Sequence, residues 1–142
     1  MTYLSPFGST YPYWTIDTHR DDNGNFIVPS TVTITPQQVD DLLAAALEGG
    51  INHWCSNAGL YSAHVDTSSI EHISDGLTRG CFIILHLQDS DDVRDLTIEK
   101  MLQGISMAAE HFKTDVSNFL EDHDAESADI AVQFAVFGTI VY

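Results

Sequence analysis

Residues 35–50, TPQQVDDLLAAALEGG, carry both ends of a helix and a single apolar stripe between them. Thr35 is an N-cap residue. Pro36 stands at the first helical position, where its missing N–H costs nothing, and Gln38 is the third residue of a capping box. Val39, Leu42, Leu43, Ala46 and Leu47 recur at helical spacing, so a helix here must bury one face. Asp40, Asp41 and Glu48 fall off that stripe and are expected in water. Gly49 or Gly50 is expected to close the helix in the left-handed conformation, with Ile51 and Trp54 folding back onto its last turn. On this reading His53 and Cys55 flank a core tryptophan and serve packing. As a zinc pair they would require two further ligands at recognisable spacing, and His64, His72, Cys81 and His86 form no such pattern.

A helix with one apolar face needs a second layer to cover it. CFIILHL (81–87) supplies one: a short, nearly continuous apolar run, read as a buried strand. WTIDT (14–18) and FIVPSTVTIT (26–35), joined by the Asn-Gly turn of DDNGN (21–25), read as a hairpin, with Pro29 marking an edge or a bulge. Residues 1–13 read as an irregular arm pinned by aromatic residues. Residues 56–79 read as loop with a helical turn near Ser69–Ile73, and QDSDDVRD (88–95) as an acidic turn.

Thr97 caps a second helix, with Leu96 and Met101 placed as a hydrophobic staple. Ile98, Met101, Leu102, Ile105, Ala108, Ala109 and Phe112 form its apolar face, and Gly104 within it signals close approach of another backbone. After a polar break at 113–118, residues 125–137 read as a third, largely buried helix, and TIVY (139–142) as a short strand or packed tail. The expected fold is α+β: one small domain over residues 1–142, a mostly antiparallel sheet with about three helices on one face.

Charge narrows function more than pattern does. Asp and Glu number 21 against five Lys and Arg, a net charge of −16. Gripping a nucleic-acid backbone or an anionic membrane requires a basic stripe, and five scattered cations do not make one. No apolar run of about 18 residues is present to span a bilayer. The start, MTYLSPFGST, has neither a basic leader nor an apolar core, so a cytoplasmic location with Cys55 and Cys81 as free thiols is expected.

Two acid clusters stand out: Asp89, Asp91, Asp92, Asp95 and Glu99, then Glu121, Asp122, Asp124, Glu126 and Asp129. Carboxylates after a buried strand can hold magnesium, so Asp89, Asp91 and Asp92, with His86, are a candidate divalent-metal site of hydrolytic type. The simpler reading is that acids before a helix complement its positive end. DDNGN resembles a calcium-loop fragment, but the twelfth position from Asp21 is Val32, which has no oxygen to offer. No Gly-x-Ser-x-Gly elbow marks a hydrolytic serine. No cofactor is expected, and no catalytic residue is assigned. Taken together the acids suggest a different role. Duplex DNA carries one charge per roughly 1.7 Å, so sixteen charges match about 27 Å of duplex, comparable with the span of a small domain. All ten clustered acids are therefore candidate contacts for the basic groove of a nucleic-acid-binding protein.

Two blocks carry a resemblance. ALEGGINHWC (46–55) and the run Gln133, Ala135, Phe137, Gly138, Ile140, Val141, Tyr142 resemble a group of small phage, prophage and mobile-element proteins. The two blocks cover about a sixth of the chain and are core-like. The resemblance implies a mobile-element origin and, by association, an inhibitor of host defence of the anti-CRISPR or anti-restriction type. It also leaves room for an oligomeric accessory protein of the element, a homodimer included, with the aromatic residues of the 3–14 arm serving self-association.

Overall fold

The computed structural model describes residues 22–23 and 32–142. The chain divides into two compact units, Met1–Ile34 and Thr35–Tyr142. The second holds every helix and strand among the described residues: α1 (Pro36–Ala45), β1 (Cys55–Tyr61), β2 (Phe82–Leu87), β3 (Val93–Leu96), α2 (Ile98–His111), α3 (Val116–Glu121) and α4 (Ala125–Phe137), with short 3₁₀ turns between β1 and β2. It is a small α+β domain with a three-stranded antiparallel sheet in the order β1-β2-β3.

The sheet comes from stretches that the sequence presents as loops. The hairpin expected over 14–35 lies almost wholly outside the described residues; Asp22 and Asn23 occupy a turn, and residues 32–35 are irregular. β1 and β3 instead overlap the segments 56–79 and 88–95, each extending one residue beyond them, to Cys55 and Leu96. Neither has the apolar alternation of a strand, since β1 reads CSNAGLY and β3 is only four residues long. Both are recruited by β2, whose Ile84 pairs with Gly59 on one side and Asp95 on the other. β2 is also less enclosed than its sequence suggests: Ile83, Leu85 and Leu87 are buried, while Phe82, Ile84 and His86 are only half-buried. That alternation is the mark of a sheet with one covered face.

α1 begins as its sequence dictates. The Gln38 N–H donates to Thr35 Oγ1 at 3.2 Å and the Thr35 N–H donates back to Gln38 Oε1 at 2.9 Å. Its end differs from expectation. Neither Gly49 nor Gly50 is left-handed; positive φ among the described residues occurs at Gly80, Lys113 and Gly138. Instead Ala46–Gly50 widens into a π-helical turn, closed by the Ile51 N–H donating to the Ala46 carbonyl at 3.0 Å. The glycine at 50 is explained by space: a Cβ there would collide with the carbonyl oxygen of Ala125 at the start of α4. Ile51 and Trp54 are buried behind it, as the sequence implies.

Asp40 is a second departure. It is buried, not solvated, and Thr78 Oγ1 donates to its carboxylate at 2.8 Å. Desolvation raises its pKa above the ordinary carboxylate value, against the lowering effect of the Thr78 bond. A raised folded-state pKa means that ionisation opposes folding above that pKa, and the penalty vanishes as pH falls through the carboxylate range. Asp40→Asn, which keeps an acceptor for Thr78, is therefore expected to raise Tm at pH 7 and to lose that advantage near pH 4. Thermal unfolding at both pH values checks this; a lower Tm at pH 7 would show that the ionised pair is net favourable.

α2 and α4 pack across Gly104. A Cβ at that position would meet the Ala131 carbonyl oxygen and sit 2.8 Å from Ala135 Cβ, so the two helices approach backbone to backbone as the glycine signals. Thr97 caps α2 by accepting from the Lys100 N–H at 3.3 Å, and Leu96 and Met101 on either side of the cap are fully buried. α3, within and just beyond the stretch read as a polar break, starts at Asp115, which accepts from the Asn118 N–H at 2.7 Å. Gly138 ends α4 in the left-handed conformation, and residues 139–142 form no strand but an irregular tail in which Val141 and Tyr142 are exposed.

Candidate functional site

The segment after the π-turn leads to a buried polar network. Asp129, in the second turn of α4, is 6% exposed. Trp54 Nε1 donates to its Oδ1 at 2.7 Å, Gln133 Nε2 donates to the same oxygen at 3.0 Å, and His53 Nε2 lies 2.8 Å from Oδ2. Gln133 Oε1 in turn accepts the Val141 and Tyr142 N–H groups at 2.9 and 2.8 Å, which draws the Tyr142 ring parallel onto Trp54. Asp129 is thus removed from the set of surface contacts expected from the sequence. Its charge is spent internally, because α4 is apolar on nearly all sides and turns this position inward.

The network has the composition of an architectural clamp. Cys55 is not the partner of His53: its Sγ engages the Asn57 carbonyl at 3.3 Å, and burial pushes the thiol pKa up, away from a reactive thiolate. Every buried side-chain polar atom among the described residues has a hydrogen-bond partner. The helix-stop reading of ALEGGINHWC therefore describes its packing, with His53 joined to Asp129.

The other nine candidate acids are on the surface. Asp89, Asp91 and Asp92 sit in the exposed turn between β2 and β3, Glu99 in the first turn of α2, and Glu121 and Asp122 at the end of α3. Asp95 pairs with Lys100 at 2.9 Å, and that hydrogen bond lowers its pKa. Asp124 is exposed but occupied: it caps α4 in a capping box with Ser127, whose backbone N–H holds its carboxyl below the usual range. Glu126 follows it in the first turn. No three His, Cys, Asp or Glu side chains among the described residues are grouped to hold a metal, so Asp89, Asp91, Asp92 and His86 do not assemble as a cation site.

The two acid groups adjoin residues that contact one short segment. The Gln88 N–H donates to the Trp54 carbonyl at 2.9 Å and its side-chain amide donates to the Asn52 carbonyl, while Gly50 packs on Ala125. Residues 50–54 can extend at most about 14 Å. The 89–92 turn and the start of α4 therefore follow the residues that contact its two ends. Arg94 lies over the Phe137 ring, 5.5 Å from its centroid, Lys100 pairs with Asp95, and Lys113 is exposed.

Clefts open on the surface of the described residues. One, of about 420 Å³, lies between the end of α1, the start of β1 and residues 71–74, and includes Glu48, Cys55 and His72. Another, of about 360 Å³, lies between the end of α2, α3 and the start of α4. Its floor is Phe112, which the helical pattern assigns to the core but which is 44% exposed. Periodicity has no means of marking it, because the helix ends at His111 and the chain turns there. The aromatic arm at 3–14 lies outside the described residues. No helix among the described residues is long and apolar enough to cross a membrane. No family model, curated protein or solved structure matches the chain.

Proposed function

We propose that this protein is an acidic, non-enzymatic inhibitor that occupies the basic groove of a nucleic-acid-binding protein or nucleoprotein of host defence, acting in the cytoplasm of the host cell. The observation that carries the reading is the exposure of six carboxylates that make no ion pair among the described residues, Asp89, Asp91 and Asp92 in the turn between β2 and β3, and Glu121, Asp122 and Glu126 at the end of α3 and the start of α4. With a net charge of −16, such a surface repels nucleic acid and attracts the surface that binds it. The resemblance of the ALEGG and C-terminal blocks to mobile-element proteins favours a defence complex as the partner. Competition for the groove then requires no chemistry.

The test is capture of tagged protein on nuclease-treated bacterial lysate carrying restriction and CRISPR systems, followed by displacement of a labelled duplex from the captured complex. Displacement is expected to weaken steeply as salt rises. Asp89, Asp91, Asp92 and Glu121 changed together to Lys take the net charge from −16 to −8, four reversals of two units each. At roughly 0.5 kcal/mol per reversed residue, displacement should weaken about thirtyfold. Asp124 is left in place because its loss would uncap α4. A folded fourfold variant that displaces duplex as well as the parent would refute the reading.

A further inference from the structure

The cleft between α2, α3 and α4 has a floor and a rim of different chemistry. Phe112 is 44% exposed and stacks on Phe119, with ring centroids 6.0 Å apart and planes at 23°. Phe119 is 4% exposed, so the outer ring is backed by a fixed inner one. Around this aromatic floor stand Asp122, Asp124 and Glu126. His123 also lines the cleft, its Nδ1 donating to the Leu120 carbonyl at 2.7 Å. Among the described residues no Lys or Arg lines the cleft, and Lys113 stands between two lining residues, Phe112 and Thr114. An anion would be repelled by the three carboxylates, and a neutral apolar ligand would strip their water without replacing it. A cation that is flat as well as charged satisfies both parts: its face lies on Phe112 and its edge donates to the rim. The guanidinium group has that shape, whereas an ammonium is a strongly hydrated point charge.

We infer that this cleft is a receptor for one arginine side chain of the basic partner. The inference rests on the inhibitor reading and deepens it, turning a diffuse charge attraction into an anchored contact of the kind that dominates interfaces.

The full chain is titrated with Nα-acetyl-arginine amide, and the ring signals of Phe112 and Phe119 are followed by NMR. Nα-acetyl-lysine amide and the neutral citrulline analogue serve as controls. Saturable shifts with arginine, weaker with lysine and absent with citrulline, are expected. Phe112→Ala should weaken binding about threefold to fivefold, the worth of an exposed cation–π contact. Asp122→Asn, which leaves the aromatic pair intact, should weaken it as well. No shifts, equal shifts with citrulline, or full binding by both folded variants would overturn the inference. Lost duplex displacement in the fourfold lysine variant without arginine binding here would sink this cleft alone. Arginine binding here with undiminished displacement by that variant would sink the inhibitor reading and leave the cleft standing.

Discussion

Asp129→Ala is expected to destabilise the domain by about 3–5 kcal/mol, the cost of breaking a buried, fully hydrogen-bonded charge network. The alanine leaves the Trp54 indole N–H and one Gln133 amide hydrogen without their acceptor in the interior, and each buried orphan costs about 1–3 kcal/mol. The effect should reach the C-terminal tail, because Gln133 is held by Asp129 and itself holds the Val141 and Tyr142 backbone. Urea unfolding followed by tryptophan fluorescence reads both: a lower midpoint, and an altered native spectrum as Tyr142 leaves Trp54. Asp129→Asn keeps one acceptor oxygen for the indole and should cost about 1–2 kcal/mol. If Asp129→Ala costs under about 1 kcal/mol, the network does not hold this end of the domain together. A double-mutant cycle with Trp54→Phe should show coupling of about 0.5–3 kcal/mol, as expected for groups in contact.

Gly104→Val should be nearly as severe, at about 3 kcal/mol, near the upper end of overpacking costs. The atom that an added Cβ would strike is the Ala131 carbonyl, part of the α4 backbone. A side chain can rotate away, but a helical carbonyl moves only with its helix. Gly104→Ala already places the colliding Cβ against the Ala131 carbonyl, so it is also expected to destabilise, with alanine's helix propensity offsetting only about 1 kcal/mol of the clash. Chemical denaturation of the two variants separates the terms: both should lose stability, valine more than alanine because its two further methyl groups need space beyond the shared Cβ. Equal, small losses would mean that the helices can part by the width of a methyl group at no cost.

The surface reading and the core reading place different demands on the same helix. Asp124, Glu126 and Asp129 are close in sequence and alike in charge, yet Asp124 caps, Glu126 faces water and Asp129 is buried. Counting acids treats the three as one cluster. Only the rotation of α4 against Trp54 tells them apart, and that rotation is set by the contact at Gly104 and by the wedge of Gly50 against Ala125. Asp40 repeats the lesson on α1, where a position off the apolar stripe is covered by Thr78 from a distant turn.

Local chemistry alone determined the helix starts at Thr35 and Thr97, the third helix over 125–137, the strand nucleus at 81–87, the close approach at Gly104 and the absence of a basic stripe. Each is a property of neighbouring residues or of composition, which no fold can change. Tertiary structure decided the rest: that CSNAGLY and VRDL become strands, that α1 ends in a π-turn and not a left-handed glycine, that Asp129 and Asp40 are interior, and that Phe112 floors a cleft. These depend on groups from distant parts of the chain meeting in space. β2 supplies hydrogen bonds that no local propensity demands, and Trp54 and Thr78 supply donors that make a buried carboxylate tolerable. A sequence read along its length shows which residues can take such roles, and packing selects among them.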